Sequence, residues 1–553
     1  MPLALRHPLR STIRLGCLLL LASGCTTAGN YKSQADTEVT QLVEQRRAQL
    51  RIPGAFTLEP RAQTLRTRLA SGESAPVFTL VDTLAIAAEN SRDVQSRKER
   101  LYLAALDLTL ERWRFGVQSG LTLEAFVDGD SEAATEARGD AALTFSKLLG
   151  DGTEVVASAG LDLARSLVSS DGWSPVSDLG VTITRPLLAG AGAEIVQEPL
   201  TQAERDLVYE ARSFERFRRT FAFDVASRWY RLLQTRDEVT NQEVNVKNLV
   251  QLSERNRALA EAGRLSELEF GQARQNELRS QNQLLSARER YAREIDAFAL
   301  FLGLPVGTVL ELDPRGLSDL VATGASSVTI EEALAIDLAL GERLDYKNTL
   351  GAVEDAQRRL KIAEDALQAS LSLVVDASAT SEAGQPLDYD ADRVGWSAGL
   401  QFTAPWEKLP QRNVARAALI NWTAAQREAE RSEDTIRADL RDSLRQVLSN
   451  EESYAIQLNA QSLAATRVES ARLSLDAGRA DTRDLLEAEE SLLSASNAAT
   501  GALVDWVLAR MSVYLDMERL QVDEGGILLL EPAVPAAAQA RAGRMDVARR
   551  DEG

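Results

Sequence analysis

The sequence predicts a mainly α-helical chain with a small β part, organised as an internal duplication of long helical hairpins. Three observations carry this. Ala, Leu, Arg, Glu and Gln dominate a composition with only 5% aromatics, a mix that favours long helices over a sandwich. The tripeptides Ala262-Gly263-Arg264 and Ala477-Gly478-Arg479 each stand between two long helical runs, and an Ala follows each Gly at the same distance, at Ala273 and Ala488. Period-two alternation of apolar residues appears in both halves, ahead of the longest helical run of each.

A chain of 553 residues exceeds one ordinary compact core, so two domains or an elongated repeat are expected. The net charge is −20, which makes the chain a poor general binder of nucleic acid; the acid excess reads as a solvated surface. His7 is the only histidine, and Cys17 and Cys25 are the only cysteines. His7 and Cys17 fall in a segment expected to be removed. That leaves no His-based triad, no His metal site, no redox pair and no internal disulfide. No enzyme activity, cofactor or metal is therefore expected.

The N-terminus explains that removal. Arg6, Arg10 and Arg14 precede a short apolar run, Leu15 to Ala22, and then Ser23-Gly24-Cys25. This is the pattern of a secretory signal peptide over 1–24, and its apolar run is too short to span a bilayer. Its loss takes three arginines and no acid, leaving about −23. Leu21-Ala22-Ser23-Gly24-Cys25 resembles a bacterial lipobox, with Cys25 as the lipid-bearing residue. Thr26 follows where Asp would signal inner-membrane retention, so the resemblance points to the outer membrane. Acylation anchors a protein to a membrane without making it span.

Residues 25–78 read as a lipid-anchored, largely irregular arm with a short helix near Asp36–Leu50. From Thr79 to about Gly116 the spacing of Leu84, Ala87, Ala88, Leu103, Leu106 and Leu110 predicts helix. The period then changes. Leu121, Leu123, Ala125 and Val127 alternate with other residues; Leu143 and Phe145, Val155 to Leu163, and Leu179, Val181 and Ile183 do likewise, with Gly150-Asp151-Gly152 as a turn. These predict antiparallel strands ending at Pro186. A helix of about 65 residues, on the order of 100 Å long, runs to Ala262 with Val225, Leu232, Val239 and Val246 as a seven-residue seam. A second helix follows from Ser266 to Phe301.

Gly303, Pro305, Gly307, Pro314 and Gly316 mark a linker over 303–328. The order then repeats. Thr329, Leu334, Ala335 and Ile336 match Thr79, Leu84, Ala85 and Ile86; Leu371 to Ala377 and Gly395 to Thr403 are strand-like, and the latter matches the strand ending at Pro186. A long helix from about Gln411 to Ala477 carries Leu440, Val447, Tyr454, Val468 and Leu475 on its seam, interrupted by Gln461, and a last helix runs from Asp481 to Leu520. The first half holds roughly thirty extra residues in its strand region. The repeats thus occupy 79–302 and 329–520, leaving a tail over 521–553 that is partly disordered in expectation.

Two or three strands per half cannot close a barrel alone, and open strand edges are not tolerated in lipid. Strands that span a bilayer must then be shared among copies in a ring. No helix has a run of about 20 apolar residues, so the helices are expected in water.

Signal and lipobox, duplication, the phrases Thr184-Arg185-Pro186-Leu187-Leu188-Ala189-Gly190 and Val225-Ala226-Ser227-Arg228-Trp229-Tyr230, and the Gly tips together resemble the TolC-type outer-membrane efflux protein family, over roughly residues 79–520. The resemblance implies a homotrimer with a periplasmic α-helical barrel capped by one shared transmembrane β-barrel of four strands per protomer, from which the longer first-half strand region departs. It implies a passive duct of a tripartite efflux or type I secretion system. Its implied partners are outer-membrane lipid, a periplasmic adaptor and an inner-membrane pump of the RND or ABC class. It places an acidic ring at the periplasmic aperture at Asp484 and Glu487, a gate-linking acid at Glu269, and adaptor-docking tips at Gly263, Arg264, Gly478 and Arg479. The family's basic gate residue is replaced by Ala480, beside Arg479. The second tip is expected to line the aperture and the first, with Leu265, Ser266 and Leu268, to pack around it. The competing reading is a lipid-anchored periplasmic coiled-coil scaffold without a pore, which has no use for duplicated strands. Gly190-Ala191-Gly192-Ala193-Glu194-Ile195 only begins like a phosphate-binding glycine loop and reads as a strand-to-helix connection.

Overall fold

The computed structural model describes residues 28–50, 56, 58, 64–71, 77–128, 136–166, 173–323, 330–523 and 526–529. The expected signal peptide, Cys25, Thr329 and the tail beyond Pro532 lie outside them. In chain order the elements are α1 (Ala28–Leu50), α2 (Leu65–Ala70), β1 (Val77–Phe78), α3 (Leu80–Asn90), α4 (Arg92–Arg114), β2 (Val117–Asp128), β3 (Glu136–Leu148), β4 (Glu154–Ser166), β5 (Ser174–Pro186), α5 (Ala193–Val196), α6 (Glu198–Glu261) and α7 (Glu267–Phe301). There follow β6 (Glu311–Leu312), α8 (Arg315–Thr323), α9 (Glu332–Glu342), α10 (Leu344–Asp365), β7 (Ser370–Thr380), β8 (Val394–Thr403), α11 (Leu409–Asp476), α12 (Thr482–Asp516), β9 (Leu520–Asp523) and β10 (Gly526–Leu529).

The duplication is visible in lengths. The paired elements α3 and α9 have 11 residues each, and α7 and α12 have 35 each. Each half opens on a broken helix. The single helix expected from Thr79 to Gly116 is two, because Ser91 takes an extended backbone with ψ 129° and hands over between α3 and α4. Arg343 does the same between α9 and α10 with ψ 120°.

The chain divides into two compact units. The first draws on residues 1–57, 99–211 and 352–425, the second on 58–98, 212–351 and 426–553. The first contains one six-stranded antiparallel sheet in the order β2-β3-β4-β5-β7-β8. The expectation of two or three strands per half holds for the second half, which supplies two, and is corrected for the first, which supplies four; the halves join where β5 pairs with β7. The extra first-half residues are the hairpin β3–β4. Below the sheet, Arg358 and Arg205 tie α6 to α10: Arg358 Nε donates to Glu198 at 2.8 Å, and Arg205 Nε lies 2.6 Å from Asp355.

The second unit holds the main core. Phe221, Trp229, Leu232 and Leu233 of α6 meet Phe298 of α7, Leu440 and Val447 of α11, and Val504, Trp506 and Tyr514 of α12. Each such side chain contributes about 1.5–3 kcal/mol by leaving water. Among the described residues α12 alone is long and apolar enough to cross a membrane, contrary to the expectation that no helix would be. Its apolar residues Leu503, Val504, Trp506, Val507 and Tyr514 are buried in this core, which accounts for its composition. The predicted seam on α6 holds for Val225 and Leu232 but leaves Val239 and Val246 only half-buried. The buried seven-residue series is instead Thr235, Gln242, Leu249 and Asn256, with Asn245 and Leu252 beside it. An apolar count missed it because most of this seam is polar.

Three segments are more ordered than expected. The arm helix α1 starts at Ala28, well before Asp36. In the linker, β6 pairs in parallel with β1, burying Phe78 and Leu312. After α12, β9 and β10 form a hairpin that packs Leu520, Val522 and Ile527 on the core.

Candidate functional site

The sheet separates residues by face with little mixing. Strand pairing puts Leu121, Leu123, Leu143, Phe145, Ala159, Leu161, Leu179, Val181, Ala377, Trp396 and Leu400 on one face. The other carries Thr122, Glu124, Asp140, Thr144, Ser158, Asp162, Asp178, Thr182, Asp376 and Ser397, with apolar exceptions such as Phe126 and Val156. On the polar face Thr182 donates to Asp376 at 2.9 Å. The apolar face is not a core. Trp396 is 78% exposed and Leu400 67%. Exposed aromatics stand toward both ends of this face: Phe145 and Phe402 where the strands meet helices, and Trp396 at the far end. An apolar band between aromatic girdles is what a sheet facing lipid shows; a water-facing sheet would have no such surface. The two edges, β2 and β8, have no strand partner among the described residues of the single chain.

The hairpin tips are built by backbone chemistry. Gly263 has φ 68° and Gly478 φ 67°, the left-handed region that glycine enters without a Cβ penalty. Arg264 N donates to Leu259 O at 2.8 Å and Gly263 N to Ala260 O at 2.9 Å; Arg479 N and Gly478 N repeat this to Ser474 O at 2.8 Å and Leu475 O at 3.1 Å. Both are Schellman closures, which satisfy the last carbonyls of a helix. No heavy atom lies within 4 Å of where a Cβ would stand at either glycine, so conformation and not space demands Gly. Gly263→Ala and Gly478→Ala are each expected to destabilise the tip by about 1–2 kcal/mol, read as faster amide exchange confined to residues around the turn.

The acids singled out in the sequence have local work. Glu269 is the third residue of α7 and forms a capping box: Ser266 N and Ser266 Oγ donate to its carboxylate at 3.1 and 2.7 Å. These bonds, hydroxyl first, hold the Glu269 carboxyl below the usual glutamate range. Asp484 repeats the motif on α12, accepting from Asp481 N at 3.1 Å. Glu487 lies three residues on, exposed like Asp484, with Arg467 3.6 Å away. Arg264 and Arg479 are exposed at the tips. The alanines after the turns are buried, and Ala488 packs among Leu252, Val468 and Leu485.

Sequence reasoning missed the polar contacts behind the tips. Asn256 Nδ2 donates to Thr482 Oγ1 at 3.0 Å, and Gln242 Nε2 to Ser280 Oγ at 2.9 Å. Glu489 is buried and accepts from Arg472 Nη2 at 3.0 Å and Asn248 Nδ2 at 3.1 Å. Their sequence signal was the polar heptad Gln242 to Asn256, readable only once an all-apolar seam is not assumed. The glycine-rich stretch at 190–195 is a strand-to-helix connection, with Gly190 N donating to Asp365 at 2.7 Å.

No protein-family model and no curated protein matches the sequence. Solved structures do. The chain is similar to the CusC channel, with a TM-score of 0.59, 14% identity, and 84% of this chain and 96% of that one covered. It is similar to the outer-membrane protein VceC of Vibrio cholerae, with a TM-score of 0.58, 15% identity, and 79% and 95% covered. The open-state outer-membrane channel MtrE of Neisseria gonorrhoeae matches with a TM-score of 0.57, 12% identity, and 84% and 97% covered. At such identities the likeness lies in the fold. This chain has the fold of the outer-membrane channels, and these neighbours are channels rather than enzymes.

Proposed function

We propose that the protein is the outer-membrane duct of a tripartite efflux or type I secretion system, acting as a lipid-anchored homotrimer. The observation that carries this reading is the sheet: one face apolar between aromatic girdles, the other polar, and both edges open. Copies side by side pair those edges and close a barrel, the only form in which strands satisfy their backbone in lipid. The long hairpins then enclose a periplasmic tunnel, and the Gly263 and Gly478 tips, with Arg264 and Arg479, meet an adaptor fed by an RND or ABC pump. Acylation at Cys25 adds the anchor. The channel fold and the lipid-type face disfavour a poreless coiled-coil scaffold. Native mass spectrometry of the detergent-solubilised protein, with planar-bilayer recording, tests this. Trimers with discrete conductance steps are expected; monomers without conductance would sink it.

The aperture acids belong to the same proposal. Three copies set Asp484 and Glu487 around one opening, where a ring of carboxylates favours cations. Because Asp484 also caps α12, the informative variant is Glu487→Gln, which leaves the capping box intact. Its cation-to-anion permeability ratio is expected to fall about two-fold or more, measured as a reversal-potential shift in a salt gradient. An unchanged ratio would remove Glu487 from the aperture. Glu269, bound to Ser266, serves the first tip.

A further inference from the structure

The hairpin β3–β4 sits in the middle of the wall-forming sheet, and its features suit it to lipid contact. Both strands have 13 residues, more than the roughly 9–11 needed to cross a bilayer at a tilt. Pairing runs unbroken from Val117 to Asp128 along β3, and from Glu136 to Leu148 along β4. Its faces continue those of its neighbours: Leu143, Phe145, Ala159 and Leu161 lie on the apolar side, Thr144, Ser158 and Asp162 on the polar side. At its helix-side end it closes with a short turn in which Leu149 N donates to Thr153 O at 2.8 Å and Gly152 has φ 90°. A hairpin lying in water outside a barrel would have no reason to extend an apolar face in register.

The edges decide the occupant. β8 carries no charged residue and no proline, and Glu124 of β2 lies on the polar face. Long edges left open are aggregation sites, and the uncharged β8 edge most of all, so they are built to be paired. Six alternating strands run in opposite directions at the two edges, so β8 of one copy meets β2 of the next antiparallel. A second copy of this chain, and a third, is the partner that fits.

Resting on the trimeric duct reading, we infer that three copies close an eighteen-stranded barrel, with β3–β4 of each forming part of the lipid-facing wall. With strands about 4.8 Å apart and tilted about 40°, eighteen strands enclose a backbone diameter of about 36 Å, against about 24 Å for twelve. The exit is then wide and aqueous, and the barrel is not the restrictive element of the duct.

The test uses the full-length protein in lipid nanodiscs. Native mass spectrometry counts the protomers. Single variants Thr144→Cys, Ser158→Cys, Leu143→Cys and Leu161→Cys are treated with a charged, water-soluble thiol reagent, with the unsubstituted protein as background. Labelling at 144 and 158 is expected at least about tenfold faster than at 143 and 161. A bimane probe at 143 or 161 is expected to be quenched by doxyl lipid. Amide exchange over 136–166 in the unsubstituted trimer is expected to be as slow as over 174–186. A trimer whose four positions label alike, or whose 136–166 amides exchange fast, places the hairpin outside the wall and overturns the wide barrel while the duct reading stands. A species that is not trimeric overturns the reading beneath it, and the inference with it.

Discussion

Leu179→Arg is expected to keep the protein out of the outer membrane, whereas Thr182→Arg is expected to be tolerated. Both lie on β5, the central strand that joins the two halves of the sheet. Leu179 stands near mid-strand on the apolar face, opposite Ala159 and Ala379. Thr182 stands on the polar face beside Asp376. An arginine facing the bilayer midplane costs about 2–4 kcal/mol, so a ring of three pays it three times. An arginine on the polar face meets water and the Asp376 carboxylate. Sucrose-gradient fractionation checks this: Leu179→Arg should leave the outer-membrane fraction and Thr182→Arg should stay. Equal behaviour would show that the two faces see the same solvent and would remove the lipid contact from this face.

The largest stability loss is expected at Glu518, which follows α12 inside the helical unit. Its carboxylate lies 2.9 Å from Arg216 Nη1 and 3.2 Å from Arg219 Nη1, and Arg219 also donates to its carbonyl at 2.7 Å. The residue is 4% exposed. Burial pushes its carboxyl up, and Arg216 and then Arg219 pull it back. Glu518→Ala leaves two guanidiniums short of a partner in the interior, a loss of about 3–5 kcal/mol. Glu518 is also the only non-glycine residue with positive φ among those described, at 61°. Glu518→Gly loses the same ion pairs but relieves about 1–2 kcal/mol of backbone strain. Thermal unfolding is therefore expected to rank wild type above Glu518→Gly, and Glu518→Gly above Glu518→Ala. The reverse order of the two variants would mean the backbone is not strained there.

The sequence by itself determined what depends on nearby residues. Gly263 and Gly478 announced their turns because only glycine enters that backbone region cheaply, and Ser266 with Glu269 started α7 through a reciprocal cap. The long helices followed from spacing, and alternation marked every strand of the large sheet, including both strands of the extra hairpin. The site acids were legible as residues, and Glu269 and Asp484 are also caps, at the three-residue spacing from Ser266 and Asp481 that marks a capping box. Tertiary structure alone decided the partners of each strand. Pairing β5 with β7 joins segments nearly two hundred residues apart, and an alternating pattern states which face is apolar without stating its neighbour. The polar seam through Gln242, Asn245 and Asn256 was hidden for the same reason: a buried amide is read as exposed until its acceptor is in place. Glu518 was hidden too, because its left-handed backbone is held by arginines some three hundred residues away in the chain. Short-range steric and hydrogen-bonding rules act within a few residues, whereas register, burial of polar groups and ion pairing are settled only when distant segments meet.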